Sequence, residues 1–544
     1  MIFNLLRRFP ILLAILFLFS IFFVVNYFRL SLPHYLSFSD GAKFADIARN
    51  IVYGLGYNGK FSFWTSGIFD LSNKLVFSSL WTPPLMPFSI AAFFKMFGVN
   101  DFAVIATSFF YFILTLIFVF LLAKKIFKSN LVGILSALAV GFNYDLINYA
   151  TSGASESPFI FEIVASVYFL ALKKRWTTVV GFILLVLMYF TRPQAFIYIA
   201  GLILFYLLSR LNAKKAMLYF LAVAILGFLV DRQILAPLGG KYFLYPIIGR
   251  GVNAISQYTP GSAVSDAIRG NFVSSVNLLS IFKKVFYNLY NFFKLMPQIM
   301  SPYLFGLFLI GLFRWTKDKT YNAFKVSVIF MFAVTFLIAA LSIPFFRYLH
   351  PVVPLIYIVA IATIVEIFNF KISKQMLVIA ASTFLIIAFG VGQTLGVIFL
   401  DSRFERNTHN VGKPPVYVQL SYVLKNNTRP DQMVLTNLDT WGSWYGERKT
   451  VWYPLTPEQI ITPKGESNPF DVIYLTSYLK DDQNYFMGEE WRRIFENPTS
   501  FSTKDCAGCE FIKENYKLGG IYKVSASEDY ERQDARAILL IKKN

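Results

Sequence analysis

The side chains in this sequence that could do chemistry stand beside long apolar segments. Asp40 lies in SFSDGAKF, shortly after one apolar segment, and Glu156 lies in TSGASESPF at the start of another. A carboxylate within hydrogen-bond reach of a hydroxyl or amine can remove its proton and activate it as a nucleophile. Cations could pair with a phosphate or with an acidic residue such as Glu156. The candidate cations are Arg192, Arg250, Arg269, Arg347 and His350.

Each of these residues also has a purely structural interpretation. Ser39 or Asp40 could cap a short helix, because apolar residues follow Asp40 at helical spacing. Glu156 could stabilise the first turn of its helix through the helix dipole. The cations could be long side chains that extend from apolar surface to the membrane interface. From the residues alone, these alternatives stay open.

The composition indicates a polytopic α-helical membrane protein. The chain has 544 residues, of which 56% are hydrophobic and 18% aromatic, and its mean hydropathy is +0.54. Such values lie outside the range of soluble globular proteins. The formal net charge is +20, but Lys and Arg cluster between the apolar segments. That placement is typical of topology signals and argues against nucleic-acid binding.

About eleven segments are long and apolar enough to be transmembrane helices. They lie near residues 9–29, 101–123, 130–149, 157–172, 177–191, 193–210, 215–236, 297–314, 323–345, 349–369 and 376–399. The first is too long for a signal peptide and lacks a cleavage site, so we expect it to be retained. Clusters of Lys and Arg fall at every second boundary, which predicts a cytoplasmic N-terminus.

The candidate chemical residues then share the outer face of the membrane. We expect a transmembrane domain over residues 1–399, with outer loops at 30–100 and 237–296. The first of these loops contains two short amphipathic segments, which predict interfacial helices. In residues 400–544, apolar runs such as DVIYL alternate with helical patterns such as GEEWRRIFEN, which predicts an extracytoplasmic α/β domain.

Several motifs together resemble the GT-C membrane glycosyltransferases. The segment from Asp40 and Gly41 through ARN to GLGY, which ends at Tyr57, resembles their first outer loop. It is most similar to the bacterial group near the protein O-mannosyltransferases and the lipid A aminoarabinose transferase. Further motifs resemble the same group in the same order: TPPLMPF, TSGASE, FRYLHPVVP and TNLDTWGSWYGERKTVWYP. The resemblance covers nearly the whole chain, and it implies a GT-C fold with a C-terminal outer domain.

The resemblance also implies an activity. It implies inverting transfer of a sugar from a polyprenyl-phosphate donor to a lipid, glycan or protein acceptor, at the outer face of the cytoplasmic membrane. Asp40 is the position that corresponds to the family's catalytic base. The expected substrate-binding residues are Tyr57, Glu156, Arg192, Arg250, Arg269, Arg347, Tyr348 and His350. Protein O-mannosyltransferases have an Asp-Glu pair where this chain has Asp40-Gly41, so protein mannosylation is not favoured, and the sugar and acceptor stay open.

The sequence predicts no required metal or other cofactor. Its three histidines are scattered, and Cys506 and Cys509 form a single Cys-x-x-Cys, whereas a structural zinc site needs four ligands. We expect a local disulfide or two free thiols there. A divalent metal stays open, because some GT-C enzymes use one. No Gly-rich phosphate loop is present, which agrees with a lipid-phosphate donor rather than a nucleotide sugar.

The alternative is a transporter or flippase for a lipid-linked glycan. Transporters usually place polar groups near the middle of the membrane and often have inverted repeats or broken helices. Here the charges collect at the outer rim, with Glu162 and Glu366 as exceptions. A receptor or scaffold is a third class, but it would not need carboxylates and cations clustered at that rim.

Overall fold

The computed structural model describes most of the chain. It describes residues 35–63 except 37, 76–78, 82–230, 233, 278–371 except 342–343, 414–454, 456–461, 469–477, 487–526 and 534–543. The predicted spans 9–29 and 376–399, and the candidate residues Arg250 and Arg269, lie outside the described residues.

Residues 30–100, the predicted first outer loop, contain two helices at the positions of the predicted interfacial helices, and three short strands. These elements are α1 (Ser39–Val52), β1 (Asn58–Gly59), β2 (Phe61–Phe63), β3 (Phe77–Ser78) and α2 (Leu85–Phe97). α1 is amphipathic, and its residues Phe44, Ala45 and Ala48 are buried on one side. β1 and β3 pair with each other in an antiparallel ribbon.

The described residues between 101 and 371 are mostly helical. Their helices are α3 (Asp101–Phe127), α4 (Asn130–Gly141), α5 (Tyr144–Ala150), α6 (Glu156–Ala171), α7 (Arg175–Tyr189), α8 (Ala195–Arg210), α9 (Ala213–Val230), α10 (Leu278–Lys294), α11 (Pro302–Leu312), α12 (Lys319–Leu341) and α13 (Val353–Lys371). Two short 3-10 turns, Phe346–Tyr348 and His350–Val352, precede α13. α13 is the central helix, since it is apolar on all sides and buried from residue 353 to residue 365.

Among the described residues, four helices are long and apolar enough to cross a membrane. They are Asp101–Phe127, Ala213–Val230, Lys319–Leu341 and Phe346–Ile367. α4 and α5 together make a fifth, bent by 70° at their junction. Other predicted spans coincide with shorter helices, such as α7 and α8. The polytopic helical fold is therefore present, and the count of eleven spans stays a prediction.

Residues 414–543 add helices and a sheet. Their elements are α14 (Val416–Asn427), β4 (Met433–Thr436), α15 (Trp441–Trp444), β5 (Lys449–Trp452), β6 (Val472–Thr476), α16 (Glu489–Glu496), α17 (Ala507–Asn515), β7 (Tyr516–Val524) and β8 (Ala535–Lys542). The sheet order is β2-β5-β4-β6-β8-β7. The first four strands are parallel, and β8 and β7 are antiparallel to their neighbours. Cys506 and Cys509 form a disulfide at the start of α17.

This C-terminal sheet takes one edge strand, β2, from the first outer loop. The hydrophobic core is shared as well, because Phe44 and Phe94 of that loop belong to the same buried cluster as Trp441 and Trp444. The first outer loop and the C-terminal segment thus fold as one unit. The boundary between residues 399 and 400 predicted from the sequence does not separate their cores.

Candidate functional site

Asp40 lies in the first turn of α1. The helix begins at Ser39, and the residue at the capping position is Phe38. Ser39 and Asp40 therefore do not cap the helix, although a carboxylate in the first turn is favoured by the helix dipole. The Asp40 carboxylate accepts a hydrogen bond from Arg347, with 2.9 Å between Oδ2 and Nη1. Asp40 is thus held by a residue far away in the sequence.

Close backbone packing fixes the start of α1 beside the turn between α5 and α6. A Cβ atom on Gly41 would overlap the carbonyl oxygen of Ser152. Gly153 has a φ of +72°, and a Cβ atom there would overlap Val104. Glycine is required at 153 by its backbone conformation, and at 41 by the lack of space. The contact brings Asp40 close to the N-terminus of α6, where Glu156 lies.

Glu156 and Arg192 form a buried ion pair. Glu156 is the first residue of α6, and Arg192 lies in the turn between α7 and α8. The Nη1 atom of Arg192 is 2.5 Å from Oε1 of Glu156, and it also donates to Oγ of Ser155 at 3.1 Å. The Glu156 side chain is 0% exposed and that of Arg192 is 8% exposed. The sequence-based expectation that a cation at this boundary pairs with Glu156 agrees with this geometry.

The two ion pairs act on each other. Burial raises the pKa of Asp40, but the positive charges of Arg347, Lys43 and Arg192 outweigh it and hold that pKa below its ordinary value. Asp40 is therefore ionised at neutral pH. Its side chain is 36% exposed and that of Arg347 is 29% exposed, so this pair is the accessible half of a cluster of two carboxylates and two guanidinium groups.

Aromatic rings hold the Arg347 guanidinium group. Its carbon atom lies 5.6 Å from the ring centres of Phe38 and Phe345, and 5.9 Å from that of Tyr348. Such contacts stabilise a cation without using its N–H groups. Within the described part of the chain, the Arg347 Nε atom is buried and has no hydrogen-bond partner. Arg347 therefore has an N–H donor that Asp40 does not use.

His350 is buried behind Arg347. Its Nδ1 atom contacts the hydroxyl of Tyr149, and its Nε2 atom lies 3.1 Å from the carbonyl oxygen of Gln298 and 3.7 Å from Oδ2 of Asp145. These protein groups surround the imidazole, so the ring supports the turn that carries Arg347. A direct contact between His350 and a substrate stays a prediction that this geometry does not favour.

The two predicted tyrosines lie in different places. Tyr348 is next to Arg347, and its carbonyl oxygen accepts a hydrogen bond from the hydroxyl of Tyr198 at 3.3 Å. Tyr57 lies five residues beyond the C-terminal end of α1. Its hydroxyl donates to the carbonyl oxygen of Thr82 at 2.8 Å, and its ring stacks on Phe88. Tyr57 thus ties the segment after α1 to the start of α2.

The sequence analysis missed how the C-terminal segment holds α1. Arg49 donates to the carbonyl oxygens of Ser443 at 2.8 Å and of Trp444 at 3.0 Å, and to Oδ1 of Asp46 at 2.6 Å. Its guanidinium group also lies over the Trp444 ring. The sequence feature that could have indicated this attachment is the pair Asp46 and Arg49, three residues apart on the otherwise apolar, buried side of α1.

A second set of contacts attaches the C-terminal segment at the start of α3. Asp101 accepts hydrogen bonds from Nε1 of Trp444 and from the hydroxyl of Tyr445, each at 2.8 Å. The hydroxyl of Thr440 donates to the carbonyl oxygen of Ser39, directly before Asp40. Thr440, Trp444 and Tyr445 belong to the LDTWGSWYG stretch, which the sequence analysis singled out only by resemblance.

The described residues contain no group of three or more His, Cys, Asp or Glu side chains that could hold a metal ion. The prediction that no metal is needed is not tested by this observation.

Comparisons with known proteins agree with this architecture. Residues 82–231, less than half of the chain, match the family model described as dolichyl-phosphate-mannose-protein mannosyltransferase. An uncharacterised protein of Aquifex aeolicus (strain VF5) is 29% identical over 171 residues, which cover 30% of this chain and 32% of that protein. The matched region of the family model does not include Asp40.

Two solved structures share the fold. The oligosaccharyltransferase AglB from Archaeoglobus fulgidus, in complex with an inhibitory peptide and a dolichol-phosphate, matches with a TM-score of 0.54 and 10% identity, over 95% of this chain and 73% of AglB. ArnT from Cupriavidus metallidurans, bound to undecaprenyl phosphate, matches with a TM-score of 0.50 and 11% identity, over 97% of each chain. The chain therefore has the fold of the polytopic GT-C membrane glycosyltransferases and, over residues 82–231, the sequence pattern of the mannosyltransferase family model.

Proposed function

We propose that this protein is a glycosyltransferase that moves a sugar from a polyprenyl-phosphate donor to a hydroxyl or amine of a lipid, glycan or protein acceptor. The observation that carries the proposal is the partly exposed Asp40–Arg347 pair beside the buried Glu156–Arg192 pair. One carboxylate and one guanidinium group are accessible at the same point, and the other two are not. Sugar transfer from a lipid phosphate needs a base and a phosphate-binding cation at the same place, and this pair offers both.

The ion pair suggests how the donor activates the base. While Arg347 donates to Asp40, the carboxylate is a weak base because its pKa is lowered. A phosphate group is a strong partner for a guanidinium group and binds it through two parallel hydrogen bonds. When the donor phosphate binds Arg347, Asp40 loses its closest cation and becomes free to accept a proton. Donor binding thereby precedes acceptor activation.

The transfer itself is a single displacement. Asp40 removes the proton from the acceptor hydroxyl or amine, and the acceptor atom forms a bond to C1 of the sugar. The bond between C1 and the phosphate oxygen breaks, and its electron pair leaves with the polyprenyl phosphate. Arg347 stabilises the charge that develops on this oxygen. Because the acceptor attacks from the side opposite the phosphate, the configuration at C1 inverts.

Several observations support the donor class and the location. The solved structures that share the fold contain dolichol-phosphate and undecaprenyl phosphate. The Cys506–Cys509 disulfide suits a compartment outside the cytoplasm, and the basic clusters suit a cytoplasmic N-terminus in the inner membrane. In this orientation the base, the cations and the C-terminal segment lie at the outer face. The substrate contacts of Tyr57, Tyr348, His350, Arg250 and Arg269 remain part of the proposal.

The test is sugar transfer in membranes that contain the wild-type protein or Asp40→Asn. The donors are a panel of radiolabelled polyprenyl-phosphate sugars, and the acceptors are a total extract of lipids and glycans together with membrane protein. We expect the wild type to transfer label from one donor. We expect Asp40→Asn to lose at least about 100-fold in rate, the lower range for a general base.

The matched control is Asp431→Asn. Asp431 is an aspartate of the C-terminal segment whose side chain is 68% exposed, so its substitution should leave transfer unchanged. Equal transfer by wild type and Asp40→Asn would mean that Asp40 is not the base. If the wild type transfers no sugar from any donor but moves a lipid-linked glycan across vesicle membranes, the protein is a transporter.

A further inference from the structure

Glu162 is an ionisable residue that the proposed transfer reaction does not use. It lies on α6, about 9 Å along the helix axis from Glu156, and is 1% exposed. Within the described part of the chain, no Lys or Arg forms an ion pair with it, and its Oε2 atom has no hydrogen-bond partner. A buried charge without a partner costs several kcal/mol. A salt bridge therefore does not explain how Glu162 is tolerated in this buried position.

The hydrogen bonds around Thr191 indicate the protonation state of Glu162. The Thr191 hydroxyl oxygen lies 2.8 Å from Oε1 of Glu162 and 3.0 Å from the carbonyl oxygen of Leu187. A threonine hydroxyl has one proton to donate, and a carbonyl oxygen only accepts. Both contacts are hydrogen bonds if Thr191 donates to Leu187 and Glu162 donates to Thr191. This requires a proton on the Glu162 carboxyl group.

Thr191 is the neighbour of Arg192, which forms the buried pair with Glu156. The same turn is held from the other side, because the backbone N–H of Leu85 at the start of α2 donates to the carbonyl oxygen of Phe190 at 3.1 Å. α6 thus contacts this turn twice, through Glu156 at Arg192 and through Glu162 at Thr191. The two contacts together fix where the Arg192 guanidinium group lies.

We propose that Glu162 is a neutral carboxylic acid that positions Arg192 by donating a hydrogen bond to Thr191. Its protonation is independent of the reaction, whereas its effect on transfer rests on the proposed function. Glu162 is a positioning residue in this scheme, because Arg192 and Glu156 lie between it and the accessible Asp40–Arg347 pair.

Glu366 provides a matched control for the protonation. It is also a glutamate in an apolar helix, but it pairs with Arg314 at 3.1 Å, and its side chain is 36% exposed. Glu366 therefore has a guanidinium partner, which Glu162 lacks among the described residues. The two glutamates therefore differ in environment while they share the same chemical group.

The first experiment is infrared difference spectroscopy of the purified protein in detergent at neutral pH. We expect the spectrum of wild type minus Glu162→Gln to contain the carbonyl stretch of a neutral carboxylic acid. The spectrum of wild type minus Glu366→Gln should contain only carboxylate bands. Carboxylate bands alone in the Glu162→Gln difference would overturn the proposal, whether or not the protein transfers sugar.

The second experiment measures transfer kinetics with the donor identified by the membrane assay. Glu162→Gln should keep kcat and the donor KM within about twofold, since its neutral amide can donate to Thr191 in the same way. Glu162→Val removes this hydrogen bond and lets the Arg192 charge move relative to Asp40, so kcat/KM should fall about tenfold, the effect of losing one hydrogen bond. Thr191→Val removes the same hydrogen bond from the other side and should lower kcat/KM similarly.

Two results would contradict the positioning role. One is a Glu162→Gln variant as impaired as Glu162→Val, since this would mean that the charge of Glu162 matters. The other is an unchanged kcat/KM in both Glu162→Val and Thr191→Val. A wild type without any transfer activity would reject the proposed function instead, and the infrared result would still decide the protonation state.

Discussion

The attachment of α1 to the C-terminal segment predicts a large effect of substituting Arg49. Arg49→Met keeps a long apolar side chain but removes the charge and all donors. It removes the hydrogen bonds to Asp46, Ser443 and Trp444. The Asp46 carboxylate, which is 1% exposed, would retain only the backbone N–H of Lys60 as a described donor.

The magnitude follows from the burial of this pair. Removing one partner of a buried ion pair costs about 3–5 kcal/mol, because the other charge stays buried without compensation. At about 1.4 kcal/mol for each factor of ten, 3 kcal/mol corresponds to about a 100-fold increase in local opening. The opening should concern α1 and the segment around Ser443, since Arg49 joins these two elements.

The assay is hydrogen exchange of the purified protein in detergent, followed by mass spectrometry of peptides from α1. We expect exchange of the α1 amides to accelerate about 100-fold in Arg49→Met. The control is Arg429→Met, because Arg429 forms a surface ion pair with Asp431 and is 74% exposed. Such pairs contribute at most about 1 kcal/mol, so α1 should exchange as in the wild type.

A companion variant separates the effect of the uncompensated Asp46 charge from that of the lost hydrogen bonds to Ser443 and Trp444. Adding Asp46→Asn to Arg49→Met removes the uncompensated charge, so most of the lost protection should return. Unchanged exchange of α1 in a folded Arg49→Met variant would refute the conclusion that the C-terminal segment holds this helix.

Two further predictions concern the start of α1. Because the pKa of Asp40 is lowered, its ion pair contributes stability above the ordinary Asp value of about 4, and this contribution is lost as the pH falls through the lowered value. The transfer rate should stay constant between about pH 7 and about pH 5 and should fall at lower pH. Lys43→Gln removes a positive charge that lowers the pKa of Asp40, so this fall should move to higher pH. A fall at the same pH in both proteins would mean that Asp40 does not cause it. Gly41→Ala would place a methyl group against the Ser152 carbonyl oxygen, and should lower stability by about 1–3 kcal/mol and reduce transfer. Gly306→Ala is the control, because its new methyl group meets no atom within 4 Å. The unfolding temperature of this variant should equal that of the wild type or be slightly higher. Equal unfolding temperatures for the two variants would contradict the packing argument.

The local features of the site were predictable from the sequence. The apolar segments, the two helices of the first outer loop and the positions of Asp40 and Glu156 at helix starts all depend on residues close together in the chain. Helix formation follows from apolar spacing, and charged residues beside apolar segments are readable without knowledge of the fold. The GT-C fold was recognisable for the same reason, since its motifs are short.

Tertiary structure decided which residues the side chains of the site contact. Asp40 and Arg347 are 307 residues apart, and nothing in either local sequence specifies the other. β2 joins the C-terminal sheet, and Arg49 reaches the backbone of residues 443 and 444. A hydrogen bond to a backbone carbonyl leaves no side-chain signal, because every residue has that group. Packing of Gly41 on Ser152, rather than any sequence pattern, sets where α1 lies and therefore which cation meets Asp40.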